Sequence, residues 1–142
     1  QNRFDMLYGE SEGFTGVMQF CEEESLSFIP WGPLRQGLLT ERYLDKAKVR
    51  PGDRLLDENM LDSELTAPVL GKLNKLAVKA EKYHISLAQL SIAYLLQLPA
   101  MGPVIVSSST VEQLEENAGA GTILLDPDTI GEIEAVIGTE TK

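Results

Sequence analysis

Cysteine and histidine are almost missing from this sequence: Cys21 and His84 stand alone among 142 residues. One thiol excludes an internal disulfide. Glu22, Glu23 and Glu24 follow Cys21 directly, and such an acidic run opposes the thiolate that a nucleophile needs. Cys21 therefore reads as a helix residue, and an unpaired cysteine suits a reducing cytoplasm. His84 lies far from any carboxylate or hydroxyl motif and reads as structural. No metal site is expected. Positive charge is scarce as well, with 12 Lys and Arg against 22 Asp and Glu and a net charge of −10. That balance argues against nucleic acid or an anionic membrane as partners. No apolar run approaches the roughly 20 residues that span a bilayer. A secretory signal and an initiating Met are also lacking, since the chain begins Gln1-Asn2-Arg3. The expectation is that native residues precede Gln1.

What is present is ordinary for a globular chain: 43% hydrophobic and 24% charged residues, enough for one domain over 1–142. The organising stretch runs from Pro103 to Asn117. Val104, Ile105 and Val106 form a short β-branched run, the pattern of a parallel strand covered on both faces. Ser107, Ser108 and Ser109 make a small polar turn. Thr110 and Gln113 then have capping-box spacing at the start of a helix. Free N–H groups and a positive dipole end suit a phosphate there. The plainer alternative, a cap and a turn with no ligand, stands beside it.

Upstream, Phe4, Met6 and Leu7 show no clean period, Tyr8 to Gly16 reads as a loop, and Val17, Met18, Phe20 and Cys21 have helical spacing. Leu26, Phe28 and Ile29 read as a strand that stops at Pro30, because proline cannot donate to a ladder. Trp31-Gly32-Pro33-Leu34 is a turn, and Trp31 by itself reads as core filler rather than a ligand surface. Leu38 to Tyr43 starts a helix or continues the turn. From Asp45 to Leu65 the apolar period disappears, as in a binding loop or mobile segment. Arg35, Arg42, Lys46, Lys48, Arg50 and Arg54 gather in this region, which marks either a place for an anion or a solvated loop.

Ala67 to Tyr83 has the stripe of an amphipathic helix ended by His84, and Leu87 to Leu96 reads as a buried helix capped by Ser86 with Gln89. A helix from Val111 to about Ala120 follows the organising strand. Asp126-Pro127 opens a last helix carrying Ile130, Ile133, Val136 and Ile137. Strands alternating with helices predict a parallel sheet with crossover connections. Two or three strands cannot cover their own edges, so the chain reads as part of something larger.

Four segments carry a family resemblance: Gln1-Asn2-Arg3, Phe28 to Thr40, Leu87 to Leu96 and Val111 to Asn117. In this order and at similar spacing they resemble aldo-keto reductases, most strongly the branch of bacterial general reductases and potassium-channel β subunits. The resemblance implies an α/β fold of the (β/α)8 TIM-barrel type, of which this chain is similar to the last three strand–helix units and the closing helices. It also implies a cofactor site. Gln1 matches the glutamine that bonds the nicotinamide carboxamide, and Trp31 the aromatic residue that stacks on the nicotinamide ring, against the filler reading. Gly32, Leu34, Gln36 and Gly37 match the turn along the pyrophosphate, and Arg42 and Arg54 match basic positions over the phosphates. Ser107, Ser109 and Gln113 match positions around the adenosine ribose phosphate; Glu116 and Asn117 match the pair that holds the adenine.

Two departures qualify what the resemblance implies. Many family members have Lys and Arg where this chain has Ser107 and Gln113, so the grip on a 2′-phosphate is weaker; NADPH is the expected cofactor, with NADH left open. The family's proton-donor Tyr and its Asp, Lys and His partners have no counterpart here. Tyr8, Tyr43, Tyr83, Tyr94 and His84 all stand in the wrong context, so no catalytic residue is assigned. The expected function is reduction of aldehyde or ketone carbonyls by an intact aldo-keto reductase, with this chain forming one wall of the cofactor site and inactive alone. The expected partners are a small carbonyl substrate and an N-terminal barrel half. A non-catalytic nucleotide-binding or regulatory subunit, or a truncated barrel, is the alternative. Pairing of copies through open strands is a third possibility.

Overall fold

A computed structural model describes residues 1–138. Strands β1 (Asn2–Asp5) and β2 (Gly9–Glu10) come first, then helix α1 (Val17–Glu23) and strand β3 (Pro30–Trp31). Single helical turns occupy Arg35–Gly37, Glu41–Tyr43 and Lys46–Lys48. Short helices α2 (Arg54–Asp57) and α3 (Leu61–Glu64) lead into α4 (Ala67–Lys82), α5 (Leu87–Leu96), α6 (Val111–Gly119) and α7 (Pro127–Ile137). The sheet order is β2-β1-β3. β1 and β3 are parallel, with Asn2 opposite Pro30 and Arg3 opposite Trp31, and α1 forms the crossover between them. No described helix is long and apolar enough to cross a membrane.

The structure corrects several expectations. The loop from Tyr8 contains β2, antiparallel to β1. Its turn is fixed by Asp5, whose Oδ1 accepts from the N–H groups of Leu7 (3.0 Å) and Tyr8 (3.1 Å). A side chain holding its own backbone leaves no hydrophobic period to read. The second strand does not stop at Pro30. The Pro30 carbonyl accepts from Ile105 N–H at 2.9 Å, and Ile29 O accepts from Asn2 N–H at 3.2 Å. Proline forfeits its donor but keeps its acceptor, which is what this ladder uses.

Val104 to Val106 is likewise not a strand covered on both faces. It touches β3 through a single isolated bridge, Trp31 to Ile105, with a second bridge upstream between Phe28 and Met101, and Ile105 is 46% exposed. Gly102 makes the approach possible. A Cβ there would meet Ser27 Cβ at 3.1 Å and the Phe28 carbonyl at 3.2 Å, while its N–H donates to that carbonyl at 2.7 Å.

The segment from Asp45 to Leu65 is built of short turns rather than open loop. Thr40 and Asp45 cap the turns that follow them, and Leu55 and Leu65 reach the main core. Elements of three or four residues are too short to show a period.

The main core lies between α4, α5, α7 and this turn-rich segment, and includes Leu73, Leu76, Leu87, Leu90 and Ile133. Each such side chain contributes roughly 1.5–3 kcal/mol when fully buried. α5 is central because it serves two cores. Its Leu95 joins Phe4, Cys21 and Phe28 in a second cluster under the sheet, where the Phe4 and Phe28 rings meet edge to face at 5.8 Å. Its start carries the expected capping box: Ser86 Oγ accepts from Gln89 N–H and Gln89 Oε1 from Ser86 N–H. Sheet and helices together leave one face of β3 open, and Trp31 is 46% exposed on it.

Candidate functional site

The site begins with the backbone after β3. Gly32, Arg35, Gln36 and Gly37 have φ of 71°, 45°, 56° and 91°. Glycine takes such angles freely, but two successive L-residues there cost on the order of 1–2 kcal/mol each. Arg35 holds the turn in place. Its Nε and Nη2 donate to the two oxygens of Glu64 at 2.7 and 3.2 Å, and its Nη1 donates to Asp5 Oδ2 at 3.1 Å. The guanidinium also lies 3.8 Å from the Tyr8 ring centre. Burial pushes the Asp5 carboxyl up, while Arg35 and the Leu7 and Tyr8 N–H groups pull it back. Burial opposes the Arg35 cation too, but Glu64 and Asp5 outweigh it and raise its pKa. The strained turn is thus bolted to β1 on one side and α3 on the other.

Against this turn lies a cleft of about 950 Å³. One wall contains Trp31, Gly32, Leu34, Gln36 and Gly37; Arg42 and Arg54 stand on the same lining; Ser107, Ser109, Gln113, Glu116 and Asn117 come from the α6 side. Of the thirteen residues singled out from the sequence, Gln1 alone does not line it. The filler reading of Trp31 is corrected, since its ring is half exposed in the cleft wall. Arg3, Thr40, Glu41 and Ala88 also line the cleft and were given no role. Arg3 was readable in principle, because alternation along a strand puts every second residue on one face, but the short β1 shows no period.

The basic cluster is largely neutralised from within. Besides Arg35, Arg42 pairs with Asp53 at 3.3 Å, Lys46 with Asp62 at 2.6 Å, Lys48 with Asp45 at 3.6 Å and Arg54 with Glu58 at 2.7 Å. These are not equivalent. The forked Arg35 is mostly sheltered, whereas Arg54 is 62% exposed and such a pair is worth about 0–1 kcal/mol. Arg54 can therefore turn to another anion at little cost, whereas Arg42 is held by Asp53, whose side chain is only 9% exposed. Gln36 Nε2 donates to Glu58 at 3.1 Å, and its buried Oε1 has no partner among the described residues, an acceptor that suits a ligand donor.

The α6 start is only half the expected capping box. Thr110 Oγ1 accepts from Gln113 N–H at 3.2 Å, but Gln113 Oε1 accepts from Ser109 N–H at 2.8 Å rather than from Thr110. The side chain overshoots its cap by one residue and pins the serine turn. Glu112 is held below the usual carboxylate range by its own backbone N–H and the Thr110 hydroxyl, so this helix end already carries a carboxylate. Asn117 Nδ2 donates to Ser108 Oγ at 3.0 Å, and Gln89 Nε2 donates to the Glu116 carbonyl at 2.9 Å, tying α6 to α5.

No Tyr, His or Lys lines the cleft among the described residues. Tyr94 lies in α5 with its pKa pushed up to about 12 by burial and by Glu134. Tyr43 OH accepts from Leu55 N–H at 3.1 Å. No metal-holding group of three or more His, Cys, Asp and Glu occurs among the described residues.

Comparison with known proteins bears on this geometry. The sequence model described as the aldo/keto reductase family matches residues 1–138. A probable voltage-gated potassium channel subunit beta from Oryza sativa subsp. japonica is 33% identical over 82% of this chain and 37% of its own length. A protein of the same description from Arabidopsis thaliana is 32% identical over 90% and 40%. An L-glyceraldehyde 3-phosphate reductase of Escherichia coli O157:H7 is 32% identical over 75% and 32%. A thermostable aldo-keto reductase crystallised with the inhibitor epalrestat shares the fold with TM-score 0.53 and 21% identity, over 85% of this chain and 33% of that one. The chain thus spans 32–40% of the length of these four proteins.

Proposed function

Because the chain belongs to the aldo/keto reductase family, we propose that it forms the nicotinamide-to-adenine wall of the dinucleotide site in a carbonyl reductase, as the last three strand–helix units of a (β/α)8 barrel. The observation that carries this reading is one cleft gathering Trp31, the strained turn, Arg42 and Arg54, and the α6 polar turn. The donor set fits a dinucleotide. Trp31 offers a flat face to the nicotinamide, the turn its backbone to the pyrophosphate, and Gln36 Oε1 an unused acceptor. Arg54 leaves Glu58 for a phosphate oxygen, and Arg42 faces the phosphates while keeping its pair with the sheltered Asp53. Ser107, Ser109 and Gln113 surround the ribose end, with Glu116 and Asn117 on the base. The nucleotide, when bound, supplies the hydride for an aldehyde or ketone carbonyl. NADPH is the proposed form. The proton that the new alcohol oxygen needs comes from a residue outside this cleft wall, in the rest of the intact protein.

Trp31 is the only Trp of these 142 residues, and comparing the intact protein with its Trp31→Ala variant isolates its signal. Titration of the intact protein with NADPH should quench a component of its Trp emission that is lost in Trp31→Ala and sensitise the reduced nicotinamide. Trp31→Ala should weaken NADPH binding about tenfold, on the scale of one aromatic stack, with little loss of thermal stability because the ring is half exposed. Unchanged affinity in that variant, or no binding by the parent, rejects the reading.

A second reading has a specific support: two relatives are described as potassium channel β subunits. In it the same cleft binds nucleotide and regulates without turnover. NADPH binding by the intact protein with no reduction of any simple aldehyde favours it.

A further inference from the structure

Four arginines line the cleft, and one of them meets no acid among the described residues. Arg35, Arg42 and Arg54 are matched by Glu64 with Asp5, by Asp53 and by Glu58. Among the described residues no carboxylate lies within 4.0 Å of the Arg3 guanidinium. Its side chain is part-buried, so some of its hydration is given up with no ion pair in return. The chain has 22 acids with which to pair it; the vacancy is local.

The placement is well defined. Arg3 stands opposite Trp31 in the parallel register of β1 and β3, and Trp31 bridges to Ile105 on its other side. Neighbours in register share a face of the sheet, so a cation, a flat ring and an aliphatic side chain stand in a row across the open face. The Arg3 stem lies over the start of the strained turn, with its Cγ 3.8 Å from where a Cβ on Gly32 would be. The guanidinium is therefore level with the ring end of the cleft, while Arg42 and Arg54 serve the phosphate end.

We propose that Arg3 is a specificity-determining residue that grips the anionic group of the substrate, a carbonyl compound bearing a carboxylate or phosphate ester. This rests on the dinucleotide reading above, in which Trp31 marks the nicotinamide and hence the reacting carbonyl. A planar guanidinium matches a carboxylate or phosphate through two parallel hydrogen bonds. Within this chain of net charge −10, a cation with no acid beside it is a local site for an anionic substrate group.

The test uses the intact protein with saturating NADPH and matched aldehydes, succinic semialdehyde against butanal and 4-carboxybenzaldehyde against benzaldehyde. The parent enzyme should favour the charged member in kcat/KM. Arg3→Gln should lower that charged-to-neutral ratio about tenfold or more, through KM, on the scale of a charged hydrogen bond. Arg3→Lys, which keeps the charge, should retain part of the preference and covers the case in which the glutamine variant misfolds. The NADPH dissociation constant is measured alongside. An unchanged ratio in Arg3→Gln overturns the proposal. So does a tenfold weaker NADPH complex at constant ratio, which assigns Arg3 to the nucleotide pyrophosphate instead. A parent that binds NADPH and shows no preference, or no turnover, sinks this proposal and spares the nucleotide site. One that binds no NADPH removes both.

Discussion

Single residues decide the local geometry, and the clearest case is His84. α4 ends in a left-handed cap: His84 has φ of 56°, its N–H donates to Glu81 O at 3.0 Å, and Ile85 N–H donates to Ala80 O at 3.2 Å. This is the 5→2 and 6→1 pair of a Schellman motif, whose left-handed position favours glycine. The structural role expected of His84 is thus carried by its backbone. His84→Gly should stabilise the protein by roughly 0.5–1 kcal/mol, read as a rise of about 2–5 °C in Tm; a fall in Tm contradicts the cap. Arg35 and Gln36 show the opposite choice. Their strain is kept beside the cleft, where a precise turn matters more than a relaxed one.

At the scale of elements, α4 and α7 are joined by a polar clamp as well as by Ile133 and Leu76. Tyr83 OH donates to Asp126, Asp126 Oδ1 accepts from Thr129 N–H at 2.7 Å, and Lys82 Nζ donates to Thr129 Oγ1 at 2.9 Å. The Tyr83 hydroxyl above all, then the Thr129 N–H, hold the Asp126 carboxyl well below its ordinary 3.8. A depressed carboxylate contributes stability that is complete above its unfolded pKa and lost as pH falls below it. Lys79 depresses Glu132 in the same way, from 4.5. Asp5, raised by burial, acts in the other sense: its share is complete below 3.8 and lost as pH rises through its higher folded value. Tm measured from about pH 5 down to pH 2 should therefore fall less steeply in Tyr83→Phe than in the parent. Parallel curves rule out the clamp as the source. Asp126-Pro127 was legible as a helix start, because a cap and a proline act on their own neighbours. Its bond to Tyr83, 43 residues away, was not.

At the scale of the whole molecule, the sheet presents one unfinished face. Trp31 and Ile105 are each 46% exposed there, and Phe14, Phe20, Leu114 and Leu124 are also exposed. Apolar surface of this kind belongs against a partner, and open strand edges seek other strands. The isolated 142-residue chain should bind 8-anilinonaphthalene-1-sulfonate with a fluorescence gain and elute from gel filtration larger than 15.6 kDa. A dye-silent monomer shows that the face is closed in solution. The sequence by itself determined the long helices, their caps and the residues of one cleft wall, because period, capping and motif act within a few residues of chain. Tertiary structure alone decided that Pro30 stays in the ladder, that the basic cluster is mostly spent on its own acids, that Trp31 is half exposed, and that Arg3 has no acid beside it among the described residues. Each of those depends on which distant segment arrives alongside, and distance along the chain says nothing of charge met across a cleft.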